Sequence, residues 1–109
     1  MKEGDVIKVS FHQADKQIKQ RPAIILKRIG QHNDCIVCAI SGSLGLEIKG
    51  FDVIISESHP DYKTCGLNYP GLIRLGMLST IPDHSIEGTI GEIGLQTLQK
   101  LKNNLADFI

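Results

Sequence analysis

The stretch GLIRLGMLST, residues 71–80, has the composition of a buried β-strand but carries Arg74 near its middle. Side chains alternate between the two faces of a strand, so Ile73, Leu75 and Met77 are predicted to face the core. Arg74 then points to the opposite side. An arginine is rarely buried without a partner or a task, although a place on the solvent side of an antiparallel sheet is an alternative reading.

Short apolar runs like this one recur along the chain, separated by polar or glycine-rich loops. Further strands are predicted at residues 5–11, 21–29, 35–41, 51–56 and 87–93. Within residues 94–109 the apolar spacing changes to three or four, which predicts an amphipathic helix. Its predicted apolar face comprises Leu95, Leu98, Leu101, Leu105 and Phe108. Because strands and helices do not alternate, we expect a mainly β, α+β fold: a small, strongly curved antiparallel barrel with a C-terminal helix.

Length and charge limit the classes of protein to consider. A chain of 109 residues predicts a single domain over residues 1–109. No apolar run is long enough to cross a membrane, and the charged N-terminus does not resemble a secretion signal, so we expect a cytoplasmic protein. Residues 1–28 hold seven Lys or Arg and three Asp or Glu, a local charge of +4 in a chain of net charge zero. This asymmetry is typical of an anion site or of a solvated charged face.

The three cysteines do not indicate a metal site. Cys35 and Cys38 form a C-x-x-C motif, but within a strand residues three apart point to opposite faces. No second Cys or His pair has a suitable spacing. We therefore predict small buried hydrophobic side chains, and neither a metal nor a cofactor.

Three polar side chains are candidates for a common anion site. Arg21 begins the second predicted strand, Ser41 ends the third, and Arg74 lies within the fifth. In a small barrel these positions can converge, and two guanidinium groups with one hydroxyl suit a phosphodiester. The alternatives are an edge charge for Arg21 and a turn residue for Ser41.

The order of several short motifs resembles the MazF/PemK family of toxin ribonucleases from bacterial toxin–antitoxin systems. The matching segments are Gly4-Asp5-Val6, Arg21-Pro22-Ala23, Ala39-Ile40-Ser41, Gly66-Leu67, Leu72-Ile73-Arg74-Leu75, Leu78-Ser79-Thr80-Ile81 and Gly88-Thr89-Ile90-Gly91. Each motif is common in proteins, and their order and spacing over the chain make the resemblance specific.

The resemblance implies an SH3-like barrel that forms homodimers and cuts single-stranded RNA without a metal. In that reaction a 2′-hydroxyl attacks the adjacent phosphate, and an antitoxin peptide restrains the enzyme. By position, Arg21, Ser41 and Arg74 correspond to the family's catalytic residues. Gly76 stands where the PemK branch has an acidic residue assigned as the base, and Ser79 stands where many relatives have a further arginine.

Other residues are candidates for a replacement base or for RNA contacts. His12, Asp15 and His84 are candidate bases, because a histidine with a pKa near neutrality can accept the proton. The residues expected to contact RNA are His12, Asp15, Lys16, Lys19, Gln20, Ser43, Thr80 and His84.

Two further functions stay open, because fold alone does not fix function. A protein with the toxin fold can act by binding DNA gyrase or RNA without cutting, and Gly76 favours that reading. The opening GDVIKV is also compatible with a KOW- or SH3-like module of the translation machinery.

Overall fold

The computed structural model describes the backbone of residues 1–12 and 18–109, and the side chains of residues 1–10 and 19–109. In these residues six strands form one antiparallel sheet in the order β4-β5-β3-β2-β1-β6, and a helix follows. The elements are β1 (Asp5–His12), β2 (Ile18–Ile29), β3 (Asp34–Ser41), β4 (Val53–Ile55), β5 (Gly71–Pro82), β6 (Ile86–Glu92) and α1 (Leu95–Phe108). The predicted mainly β class with a C-terminal helix is confirmed. The glycine-rich segment after β3, predicted to be a loop, contains a short 3-10 helix at Leu44–Leu46.

Both faces of the sheet carry buried apolar side chains, as the alternation of the strands requires. Val6 and Ile24 belong to a cluster that packs against α1 through Leu101. The next residues along the same strands, Ile7 and Ile25, belong to a second cluster on the opposite face. The first cluster forms the main core, and the second lies beneath the surface on which the candidate site is built.

Strand β5 contains a large irregularity next to Arg74. Arg74 pairs with Ala39 of β3, but the next residue of β3 toward its start, Cys38, pairs with Leu78. Residues 75–77 therefore have no partner in β3. Such a bulge bends the strand and redirects its side chains.

A buried carboxylate stabilises the bulge. Asp52 is 7% exposed, and its Oδ1 accepts a hydrogen bond from the backbone N–H of Leu75 at 3.1 Å. Its Oδ2 accepts a second bond from the N–H of Ile48 at 2.9 Å. Without Asp52 the buried N–H of Leu75, which the bulge removes from the β3 ladder, would lose this acceptor.

The bulge overturns part of the predicted strand pattern. Ile73 and Leu75 are fully buried as expected, but Met77 is 50% exposed, so its predicted place in the core is wrong. Alternation holds only while each residue has one partner on the neighbouring strand, and this condition fails at residues 75–77.

Helix α1 buries only part of its predicted apolar face. Leu98 and Leu101 lie in the main core, whereas Leu95 is 82% exposed. Phe108 is 68% exposed, but its ring packs on Phe51 with the centroids 4.3 Å apart. None of the helices in the described part of the chain is long and apolar enough to cross a membrane.

The two cysteines of the C-x-x-C motif are buried on opposite faces of the sheet, as predicted. Burial raises the pKa of Cys38 to about 12. Burial, with a hydrogen bond from Cys35 to Asp83 at 3.2 Å, raises the pKa of Cys35 to about 11. Both side chains are therefore thiols at neutral pH, and thiols are poor nucleophiles and poor metal ligands.

Candidate active site

A cavity of about 440 Å³ lies where β2, β3 and β5 run side by side, and we call it the first cavity. Arg21, Ser41 and Arg74 all line it. Its floor is apolar and includes Ala23, Ala39 and Val37. The three polar residues that the sequence suggested as a common site therefore meet at one concave surface.

Strand register explains why these side chains converge. Ala23 of β2 pairs with Ala39 of β3, and Ala39 pairs with Arg74 of β5, so the three lie in one row. Arg21 lies two residues before Ala23 in β2, and Ser41 lies two residues after Ala39 in β3. Both therefore face the same side of the sheet as the two alanines. Because the other two residues in the row of Arg74 are alanines with short side chains, there is open space above them.

The hydroxyl of Ser41 is oriented by its own turn. Its Oγ accepts a hydrogen bond from the backbone N–H of Ser43 at 3.0 Å. The accepted bond occupies one lone pair and leaves the hydroxyl hydrogen available as a donor. Ser43, which was predicted to contact RNA, contributes this backbone N–H to the orientation of Ser41.

The arginines of the first cavity differ from three described cations of the N-terminal third. Lys2, Lys27 and Arg28 each form an ion pair with a carboxylate. Arg21 and Arg74 form none with any residue that the structure describes. A cation without a carboxylate partner among its neighbours retains its attraction for an external anion.

Among the residues that the structure describes, none that lines the first cavity is an obvious base. Gly76 lines it where an acidic side chain was expected from the resemblance, and Ser79 lines it as well. Within the described residues, no carboxylate or imidazole is part of its lining. No group of three or more His, Cys, Asp or Glu in that part of the chain is placed to hold a metal ion.

The remaining predicted site residues are dispersed. Asp15 and Lys16, and the side chain of His12, lie outside the described residues. Lys19 is exposed on β2, and Gln20 lines a second cavity rather than the first. Thr80 and His84 are exposed but line neither cavity.

His84 in particular lies toward the opposite end of β3 from Ser41. The neighbouring Asp83 donates its backbone N–H to the carbonyl of Asn33, just before β3 begins. Ser41 follows Asp34 by seven residues of strand, which corresponds to about 23 Å. The structure thus does not bring His84 to the three polar residues.

The second cavity, of about 270 Å³, shares Arg21 with the first. It is also lined by Lys8, Asn68 and Tyr69, none of which the sequence analysis singled out. The segment carrying Asn68 and Tyr69 reads as an irregular loop in the sequence, so only its packing shows that it faces Arg21.

Comparison with known families identifies the chain's relatives. The family of PemK-like, MazF-like toxins of type II toxin–antitoxin systems matches residues 2–109. The chain belongs to this family. None of the curated proteins matches the chain by sequence.

Solved structures agree with this assignment at the level of the fold. The Mycobacterium tuberculosis toxin MazF-mt6 is similar with a TM-score of 0.68 and 22% identity, over 94% of this chain and 93% of that chain. An endoribonuclease from a mycobacterial species, solved in complex with its cognate antitoxin, is similar with a TM-score of 0.66 and 15% identity, over 96% of this chain and 90% of that chain. A further toxin of M. tuberculosis is similar with a TM-score of 0.65 and 20% identity, over 82% of this chain and 92% of that chain. The predicted MazF/PemK-like fold is thereby confirmed.

Proposed function

We propose that this toxin cuts single-stranded RNA in the cytoplasm without a metal ion, in the first cavity. The observation that carries the proposal is the meeting of Arg21, Ser41 and Arg74 at one concave surface. Membership of the toxin family supports the choice of RNA among possible anions.

In the proposed reaction the 2′-oxygen of one nucleotide attacks the adjacent phosphorus and the bond to the 5′-oxygen breaks. The 2′-hydroxyl proton passes to a base, and the leaving 5′-oxygen takes up a proton. The products are a 2′,3′-cyclic phosphate and a 5′-hydroxyl. Arg21 and Arg74 donate hydrogen bonds to the non-bridging phosphate oxygens, where negative charge grows. The hydroxyl of Ser41 donates a further hydrogen bond to these oxygens.

We assign the base that accepts the 2′-hydroxyl proton to a residue other than the described ones that line the first cavity. His12 and Asp15 are our candidates, because the segment that carries them leads into β2 and hence toward Arg21. An imidazole or carboxylate with a suitable pKa can accept the 2′-hydroxyl proton. His12→Ala or Asp15→Ala, whichever removes the base, should then slow cleavage; if both variants cut at the wild-type rate, this assignment fails.

The direct test is incubation of the purified toxin with a long single-stranded RNA in the presence of EDTA. We expect discrete cuts whose 5′ fragments end in a cyclic phosphate. Arg21→Ala should abolish the cuts, and Lys100→Ala, an exposed lysine outside both cavities, should leave them unchanged. Intact RNA after long incubation with folded wild-type protein would contradict the proposal.

Gly76 supports a second candidate, a toxin that binds RNA without cutting it. A Cβ at Gly76 would meet only the Phe51 ring, at 3.8 Å, an ordinary van der Waals contact, so the backbone leaves room for the Cβ of a side chain there. If the wild type binds RNA but leaves it intact, Gly76→Asp should restore cleavage by supplying the carboxylate. A folded Gly76→Asp protein that binds RNA and still does not cut would rule out this explanation.

We also propose an antitoxin peptide and a second copy of the chain as partners. An acidic antitoxin tail would be drawn to the first cavity by Arg21 and Arg74 and by the positive N-terminal third, and would compete with RNA. Simultaneous, independent binding of an acidic peptide and RNA would contradict a shared site. A homodimer would cover exposed apolar side chains, among them Met77 and Leu78 on β5.

A further inference from the structure

The second cavity combines an aromatic ring, two cations and an amide around an apolar floor. The Tyr69 side chain is 41% exposed. Lys8 and Arg21 supply the cations and Asn68 the amide, while the buried Leu67 and the half-buried Ile90 form part of the floor. An exposed aromatic ring beside cations is the usual composition of a surface that binds single-stranded nucleic acid.

The loop that carries Tyr69 is fixed against the sheet. Gly66 has φ +77, and a Cβ there would approach the carbonyl oxygen of Ile90 in β6 to 2.1 Å, so only glycine permits this contact. The N–H of Glu92 donates to the carbonyl of Thr64 at 2.9 Å. The second cavity is thus preformed, and a ligand does not have to order its wall.

Tyr69 also connects the second cavity to the first. A Cβ at Gly42 would lie 3.7 Å from the Tyr69 ring, and Gly42 directly follows Ser41. Arg21 lines both cavities. Arg21 and the segment Ser41–Gly42 therefore lie where the two cavities adjoin.

We propose that the second cavity is a nucleobase subsite, in which one base next to the scissile phosphate stacks on Tyr69. This inference rests on the proposed function. Asn68 presents both a donor and an acceptor and reads the edge of the stacked base, whereas Lys8 holds a flanking phosphate. The subsite thereby contributes to the choice of the sequence that is cut.

Tyr69 is tested by binding and by mapping the cuts. The probe is an RNA oligonucleotide spanning the main wild-type cut, with 2′-deoxy at the cut nucleotide so that it binds without being cleaved. Loss of the stacked ring in Tyr69→Ala should weaken binding about 5- to 150-fold. Tyr69→Phe keeps the ring and should bind almost as the wild type does.

The two polar side chains separate base reading from phosphate binding. Asn68→Ala should change which base is preferred next to the cut. Lys8→Ala should weaken binding to all sequences and reduce the slope of log affinity against log salt by about 0.7. Lys100→Ala is the matched control and should change neither quantity.

The outcomes distinguish the subsite from the proposed function. If the wild type neither cuts nor binds RNA, the proposed function fails and the subsite fails with it. If the wild type cuts RNA but Tyr69→Ala retains both its affinity and its cut pattern, only the subsite is wrong. Weaker binding of Tyr69→Ala with intact tertiary structure, judged by an unchanged urea unfolding curve, supports the subsite.

Discussion

Arg74 is half-buried on a strand whose neighbouring side chains Ile73 and Leu75 are fully buried. Its proposed role is to stabilise charge on the phosphate as the 2′-oxygen attacks. Arg74→Lys keeps the charge but removes the paired planar donors. We expect RNA cleavage to slow about 100- to 1,000-fold while RNA affinity changes little, as measured by single-turnover kinetics and equilibrium binding. Equal rates for the two proteins would show that Arg74 is a surface residue without a role in cleavage.

The sequence suggested Arg21, Ser41 and Arg74 because each interrupts or ends an apolar strand. Their convergence follows from strand register, so a correct strand order is almost sufficient to predict it. Tyr69 and Lys8 were missed because no local pattern marks them. Tyr69 meets Arg21 only through a loop that Gly66 anchors on β6, whereas Lys8 lies beside Arg21 because β1 pairs with β2.

At the scale of elements, the bulge of β5 depends on Asp52. Replacing this side chain leaves two backbone N–H groups, those of Ile48 and Leu75, without their acceptor. Asp52→Ala should lower the free energy of unfolding by about 1–3 kcal/mol, mainly through the buried N–H of Leu75, as measured by urea denaturation, and should slow RNA cleavage because Arg74 adjoins the bulge. Asp52→Asn retains one acceptor oxygen and should be intermediate. A loss below about 0.5 kcal/mol in Asp52→Ala would show that the bulge does not need the carboxylate.

The same bulge marks the limit of strand prediction for this chain. Apolar runs located all six strands to within a few residues, because burial requires such runs wherever a strand crosses the core. The alternation rule then placed Met77 on the wrong face, because the bulge interrupts it. The bulge could not be predicted from β5 itself, since the acceptor that stabilises it lies on a different segment, near β4. The predicted burial of Leu95 is wrong for a related reason. Helical spacing identifies an apolar stripe along α1, but the sheet covers only part of the length of that stripe.

The start of the chain is joined to helix α1 by an ion pair. Lys102 donates to Glu3 at 2.7 Å, and this hydrogen bond is the main cause that lowers the pKa of Glu3 below its ordinary value of 4.5. Because the folded-state pKa is the lower one, the stabilisation is complete above the ordinary value of 4.5 and is lost as the pH falls through the folded-state pKa. Lys102→Met should cost about 0.5 kcal/mol at pH 7, and its difference from wild type should shrink below pH 4.5. Lys100→Met is the control, and a Lys102→Met difference that persists at low pH would contradict this account.

At the scale of the whole molecule, the exposed apolar side chains predict self-association. Met77, Leu78 and Phe108 are 50%, 40% and 68% exposed, and a small domain gains stability by sharing such surface. Light scattering at micromolar concentration and physiological salt should give twice the chain mass of 12.0 kDa. A single-chain mass under these conditions would contradict the dimer.

The central claim is that the first cavity promotes attack by a 2′-hydroxyl on the adjacent phosphate. Its most direct test compares two oligonucleotides in EDTA, an RNA containing a mapped cut and the same RNA with 2′-deoxy at the cut nucleotide. Both should bind with similar affinity, only the first should be cut, and its 5′ fragment should end in a 2′,3′-cyclic phosphate. Cleavage of the 2′-deoxy oligonucleotide at the same position would contradict it.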